Sequence, residues 1–347
     1  MRRLGRAAAV VACVLTAVLV PEAAFAAVAP SDGGDVSRMQ QTELPGIGDF
    51  AVVAVNTGLP TQTNPSLAPQ LAWAATASGV GHSRVDVYVA SADPGLAAVW
   101  WPKNDRTRAG KTVHSPYGAC VGKHATRACA WVYGNSIGRD DLTRGVTGTV
   151  GTWWIDVEQD NTWSGSTTRN RAVVEGMIAG LRTGRARVGI YALPAQFSHI
   201  LGTVPASSPI ATLPSWVAGA VDESAALHRC TGSSLTTGRV TLVQWVDFTL
   251  RVDHDVACGT VTQPKPTVSG SLHVGRKLTA RPGTWVPTGV RLTYRWTRDG
   301  HPIAKATHRT YTLRSADRHH RIGVTVTGTE VGYSKAVQRS RTHRVAS

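Results

Sequence analysis

Between residues 50 and 247, short apolar runs of strand length alternate with longer stretches of helical character. This alternation restricts the fold more than any other feature. FAVVAVN (50–56), RVDVYVA (84–90), CAWVYG (129–134), GTWWIDVE (151–158), RVGIYAL (187–193), PSWVAGA (214–220) and RVTLVQWVD (239–247) are rich in β-branched and aromatic residues, as strands are. PSLAPQLAWAATAS (65–78) reads as a helix. TTRNRAVVEGMIAGLRTG (167–184) places Val173, Met177, Gly180 and Leu181 on one helical face, with Gly184 as its stop. Repeated β–α units imply parallel strands, hence an α/β fold that is either a TIM-like (β/α) barrel or an open sheet. No glycine-rich phosphate loop follows the first strand, which argues against a nucleotide-binding sheet.

The pattern changes at the Pro-rich stretch VTQPKPTVSG (261–270). Beyond it RLTYRWTRDG and RIGVTVTGT alternate with period 2, so the segment reads as a small all-β sandwich with Trp296 in its core. Charge changes there as well. Residues 263–347 hold 16 Lys and Arg against 3 Asp and Glu, whereas the whole chain holds 37 against 22. The basic excess is therefore a property of the C-terminal module and points to an anionic partner for it.

The N-terminus has the layout of an export signal, expected to span 1–26. Arg2, Arg3 and Arg6 precede the apolar run at 7–20, which contains Cys13, and AFA (24–26) offers a small-x-small cleavage site. The run is short for a membrane span. Four cysteines follow, Cys120, Cys129, Cys230 and Cys258, an even number that suggests two disulfides in an exported chain. Of three connectivities, neighbour pairing is the simplest. No CxxC spacing or nearby His pair supports a zinc site. The expected layout is a leader segment at 27–48, the barrel at 49–260, a linker at 261–268 and the sandwich at 269–347.

Within GTWWIDVE, alternation puts Trp154, Asp156 and Glu158 on one face and Trp153, Ile155 and Val157 on the other. In a barrel the first set faces the axis, at the strand end where active sites of such barrels lie. Two carboxylates about 6–7 Å apart along a strand suit acid/base work at a glycosidic bond, because like charges this close raise one pKa. The chain has 11 Trp against 4 Phe, and Trp can stack on sugar rings; Trp153 reads as core, while Trp154 and Trp163 are candidates for the cleft. Asn56, Tyr88, Tyr133, Tyr191, Trp216, Gln244 and Trp245 lie near other predicted strand ends, and Asp253 and Asp255 follow the last.

These stretches resemble the barrel of glycoside hydrolase family 25, the lysozyme-type muramidases, over about residues 50–258. WWIDVE, with its D-x-E at Asp156–Glu158, and VTLVQWVDFTLRVDHDVAC are the parts that carry the resemblance most clearly. The resemblance implies Glu158 as proton donor, Asp156 as the carboxylate that orients the substrate N-acetyl group, and Asp253 or Asp255 as the late aspartate. It also implies an aspartate at the end of the first strand, a place that AVNTG fills with Asn56. The C-terminal segment is similar to bacterial immunoglobulin-like repeats, which serve as spacers or adhesion units.

Two functional readings result. One is a secreted hydrolase of cell-wall glycan, with Glu158, Asp156 and Asp253 catalytic and Asn56, Trp154, Tyr191, Trp216 and Gln244 binding substrate. The other is a non-catalytic wall-binding protein. Both expect a monomer whose partners are wall glycan and anionic wall polymers, with no metal, cofactor, nucleic acid or membrane after signal removal.

Overall fold

The computed structural model describes residues 29–37, 44, 46–247, 252–287 and 289–346. The expected export signal, with Cys13, lies outside them. Eight strands close into a barrel and neighbour one another in chain order: β1 (Ser31–Val36), β2 (Phe50–Ala54), β3 (Val85–Ala90), β4 (Thr152–Asp156), β5 (Arg187–Ala192), β6 (Ser215–Ala220), β7 (Val240–Asp247) and β8 (Val252–Ala257). β1 to β7 are parallel, and β8 runs antiparallel to both β7 and β1. The all-parallel expectation fails at this last strand for a reason of length. Only residues 248–251 separate β7 from β8, and a parallel return needs a crossover of about a dozen residues.

Five helices are described: α1 (Leu67–Ala74), α2 (Arg127–Asp141), α3 (Thr167–Arg182), α4 (Pro194–Leu201) and α5 (Glu223–Arg229). Alternation along each strand divides the barrel's apolar residues. Phe50, Val52, Trp154, Trp216, Leu242 and Ala257 fill the interior. Trp153, Ile155 and Val157 pack outward with Val173, Met177 and Leu181 of α3. Gly189 on β5 makes room for the interior layer, since a Cβ there would lie 2.2 Å from the Trp154 ring.

Two expected elements are corrected. The stretch 27–48 is not merely a leader, because β1 lies within it and joins β2 to β8. Its sequence SDGGDV has almost no apolar pattern, because the barrel leaves no space for side chains: a Cβ on Gly33 would lie 2.6–2.7 Å from Phe50 atoms. The run 129–134 is not a strand but part of α2, capped by the Thr126 hydroxyl, which accepts from the Cys129 N–H. Packing against α3 explains its composition. Gly134 and Gly138 of α2 meet the carbonyls of Val173 and Met177, and Gly176 and Gly180 of α3 meet those of Trp131 and Asn135. Glycines on both sides bring the two helix backbones together, and α2 is left with too few exposed positions to show a polar face.

Both disulfides follow neighbour pairing. Cys120–Cys129 ties the preceding loop to the first turn of α2, and Cys230–Cys258 ties the end of α5 to the end of β8.

The C-terminal module consists of β9 (Thr267–Ser269), β10 (Lys277–Arg281), β11 (Arg291–Arg298), β12 (His301–Pro302), β13 (Thr310–Thr312), β14 (Arg321–Thr329), β15 (Ala336–Arg339) and β16 (His343–Arg344). One sheet has the order β13-β10-β9; the other has the order β12-β11-β14-β15, with β16 also pairing β14. Leu278, Trp285, Trp296, Tyr311, Ile322, Val324 and Val326 form the core between them. The module meets the barrel where β7 begins and β8 ends. Ser334 Oγ donates to the Val240 carbonyl at 2.6 Å, the Gly259 N–H to Gly332 at 2.8 Å, and the Gly332 N–H to Leu227 at 2.9 Å. This is the end of the barrel opposite the C-terminal ends of β1 to β7.

Candidate active site

Five carboxylates gather at those C-terminal ends: Asp35 near the end of β1, Asp156 at the end of β4, Glu158 two residues on, and Asp253 and Asp255 on β8. Because β8 is reversed, its first residues reach the same rim. Asp35 Oδ2 accepts from Gln244 Nε2 at 2.7 Å, and Gln244 Oε1 accepts from Tyr191 Oη at 2.8 Å. Asp255 Oδ1 accepts from the Trp216 indole N–H at 2.7 Å. The Asp156 backbone is fixed by Ser91, whose N–H and hydroxyl both donate to the Asp156 carbonyl. Trp163 Nε1 holds the Glu158 carbonyl at 2.7 Å. The carboxyl groups are thus positioned by strand ends and by side chains that pack around them.

The electrostatics follow from burial. Asp35 is raised to about 7, first by desolvation and then by the charge of Asp253. Asp156 and Asp255 are pushed well above the carboxylate range, again first by burial, then by Glu158 and by Asp35 respectively. Asp255 Oδ2 and Asp156 Oδ1 are buried and receive no donated hydrogen bond. Asp255 faces the Asp35 carboxyl, so a proton held between the two satisfies both. Glu158 is half-buried. Desolvation and the charge of Asp160 raise its pKa, and a hydrogen bond from Tyr191 opposes them. Tyr191 therefore has one proton and two acceptors, Gln244 Oε1 and Glu158. Burial and mutual repulsion favour the protonated forms throughout the cluster, and Glu158 and Asp253 are its more exposed members.

The rim brings together Asp156, Glu158, Asp253, Asp255, Tyr88 and Tyr191 from the sequence-derived set. It excludes others. Asn56 is fully buried. It accepts from the Ala90 N–H at 3.0 Å and faces Asp141 of α2, so it does not reach a ligand. Trp154 is sealed in the barrel interior with its indole N–H on Asp86 at 2.9 Å, and is closed to substrate. Trp216 and Gln244 are buried beneath the rim, where they position Asp255 and Asp35 instead of presenting a surface for stacking. Tyr133 lies on α2, stacked on Trp101 at 5.1 Å, and Trp245 points outward from the barrel, stacked on His254 at 4.4 Å. The residue missed from sequence is Asp35. It lies near the end of β1, the first strand of the barrel, whereas Asn56 follows β2. A glycine pair directly before an acid was the available signal, since glycine within a strand marks a close approach of neighbours.

Several known proteins are similar to this chain. A family model described as lysozyme-like protein 1 matches residues 141–225, the segment that carries Asp156, Glu158, Tyr191 and Trp216. A curated protein of Dictyostelium discoideum, probable GH family 25 lysozyme 4, is 36% identical over 58 residues, 17% of this chain; the match spans only 27% of that relative's length. Among solved structures, a family GH25 lysozyme from Aspergillus fumigatus aligns with TM-score 0.44 and 12% identity, covering 66% of this chain and 93% of that one. A bacterial lysozyme from Streptomyces coelicolor aligns with TM-score 0.38 and 16% identity, covering 67% and 92%. The chain is thus similar to a lysozyme-like family model in the segment that carries its D-x-E pair, and over 58 residues to a probable family 25 lysozyme.

Proposed function

We propose that this protein is a glycoside hydrolase acting on the N-acetylated glycan of peptidoglycan, with Glu158 as general acid. The observation that carries the reading is a half-buried glutamate with a raised pKa at the mouth of the barrel, beside a second carboxyl two residues away. A general acid needs its proton at working pH, and burial among like charges retains it. Glu158 protonates the leaving oxygen. Asp156 orients the acetamido group as it attacks the anomeric carbon, and Asp35 and Asp253 complete the acidic wall of the cleft. The likeness to lysozyme-like proteins supports the hydrolase reading. The two disulfides fit a secreted or wall-associated location, and the C-terminal module is read as an immunoglobulin-like repeat.

The wall-binding reading without turnover drew its support from Asn56. Asp35, near the end of β1 and bonded by Gln244, offers a carboxylate that the Asn56 argument lacked, which favours the hydrolase reading. The test is incubation with purified peptidoglycan followed by assay of new reducing ends. Wild type should release them, and Glu158→Gln should lose about 10²–10⁴-fold of that activity with its fold intact. Binding to peptidoglycan with no new reducing ends in wild type would reject the hydrolase and leave the wall-binding reading.

A further inference from the structure

The outer face of the larger sheet in the C-terminal module has a composition that folding does not require. On β11, Trp296 turns into the core, so Arg291, Thr293 and Arg295 turn outward. On β14, Ile322, Val324 and Val326 turn inward, so Arg321, Thr325 and Thr327 turn outward. Register aligns these positions into rows. Arg295, Thr325 and Arg339 lie side by side across β11, β14 and β15. Arg321 lies directly opposite Arg344 of β16. Arg295 and Arg339, two strands apart, are separated by about 9–10 Å.

Arg291, Arg295, Arg321, Arg339 and Arg344 are all exposed, and none makes an ion pair among the described residues. The carboxylates of the module are placed elsewhere. Asp317 is buried against Arg298 and Tyr311, Asp299 is engaged by His320 and the Arg321 N–H, and Glu330 follows the end of β14. Like charges directly opposite in a sheet are destabilising, and here Arg321 and Arg344 face each other with no carboxylate between them. A multivalent anion lying across the face would remove that repulsion.

We propose that this face binds a linear wall polymer whose repeating anionic group is a phosphodiester, of the polyol-phosphate type. Arginine in a fixed lattice suits phosphate, because the planar guanidinium donates two parallel hydrogen bonds to its oxygens. Thr325 and Thr327 supply hydroxyl donors between the arginines. The face holds no aromatic side chain, since Tyr294 and Trp296 turn inward, so it lacks the stacking platform that single-stranded nucleic acids use. It therefore reads backbone charge. The choice of a wall polymer rests on the reading of the barrel as a wall-glycan hydrolase; the binding face itself does not. Because the module joins the barrel at the end opposite the carboxylates, a polymer held there leaves the barrel mouth open.

The test measures binding of the full chain to glycan-free poly(glycerol phosphate), a probe the barrel cannot hydrolyse, so the result is independent of turnover. Wild type should bind at about 0.1 M salt and release at about 1 M. The variant Arg295→Gln/Arg339→Gln/Arg344→Gln should weaken binding by about tenfold or more. The comparison variant Arg276→Gln/Lys277→Gln/Arg281→Gln removes the same charge from β10 of the smaller sheet and the residue before it, and should weaken binding by less than about threefold. Thermal melts verify that each variant is folded. No binding by wild type, or equal weakening by the two variants, overturns the proposal. Equal or tighter binding of DNA with the same number of phosphates overturns the choice of a wall polymer.

Discussion

The Tyr191 hydroxyl is shared between Gln244 Oε1, to which it donates at 2.8 Å, and Glu158, whose pKa its hydrogen bond lowers. Removing the hydroxyl leaves burial and the charge of Asp160 unopposed, so the pKa of Glu158 rises further. A general acid works only in its protonated form, so activity falls as pH rises through its pKa. Tyr191→Phe should therefore move the alkaline limb of the pH–rate profile to higher pH, even where the rate at the optimum drops. An unmoved or acid-shifted limb would show that Tyr191 does not act on Glu158. At this scale the sequence was partly legible. The D-x-E pair could be read because strand alternation alone puts both carboxyls on one face. Asp35 was marked only by the glycine pair before it, because its partners Gln244 and Asp255 lie more than two hundred residues away.

Among the elements, the strands whose outward side chains enter the main core were readable, since they keep the apolar runs that sequence patterns detect. Three of the missed elements are ones where packing removes the pattern. β1 has glycine where Phe50 needs room, and β8 turns its acids toward the barrel interior. α2 is covered on nearly every side and so has no polar stripe. The α2–α3 contact makes a sharp prediction. A Cβ at Gly134 would lie 1.9 Å from the Val173 carbonyl, a backbone atom that cannot yield without moving α3. Gly134→Ala should thus cost about 3 kcal/mol despite alanine's better helix propensity, lowering Tm by roughly 6–12 °C in a domain of this size. Gly165, where an added methyl would have nothing within 4 Å, is the comparison; Gly165→Ala should change stability by no more than about 0.5 kcal/mol. Equal melting of the two variants would refute close helix contact as the reason for the glycines.

For the whole molecule, the acidic rim is a source of instability that the rest of the barrel must offset. Asp35 is raised to about 7 by burial and by Asp253, and Asp141, away from the rim in α2's last turn, is raised to about 7 mainly by burial. Asp156, Asp255, Glu158 and Asp253 shift in the same direction. A carboxyl whose folded pKa lies above its unfolded value binds its proton more tightly in the folded state. Its contribution to stability is complete below the unfolded value of about 4 and is lost as pH rises through the folded value of about 7. The C-terminal module shows no such cluster among its described residues; there Asp299 shifts the opposite way, lowered by the Arg321 N–H and His320. The Tm of the barrel should therefore fall steadily between about pH 4.5 and pH 8. Asp35→Asn should flatten this fall, because the amide is a permanent neutral mimic of the protonated acid and its N–H₂ can donate to the unpaired Asp255 oxygen. At about pH 8 the variant should then melt above wild type while losing turnover, the usual trade between an active site's charge and the stability of its fold. A wild-type Tm that is flat or rises across this range, or an Asp35→Asn protein that melts lower at alkaline pH, would mean that the rim carboxyls are ionised and solvated in the folded protein.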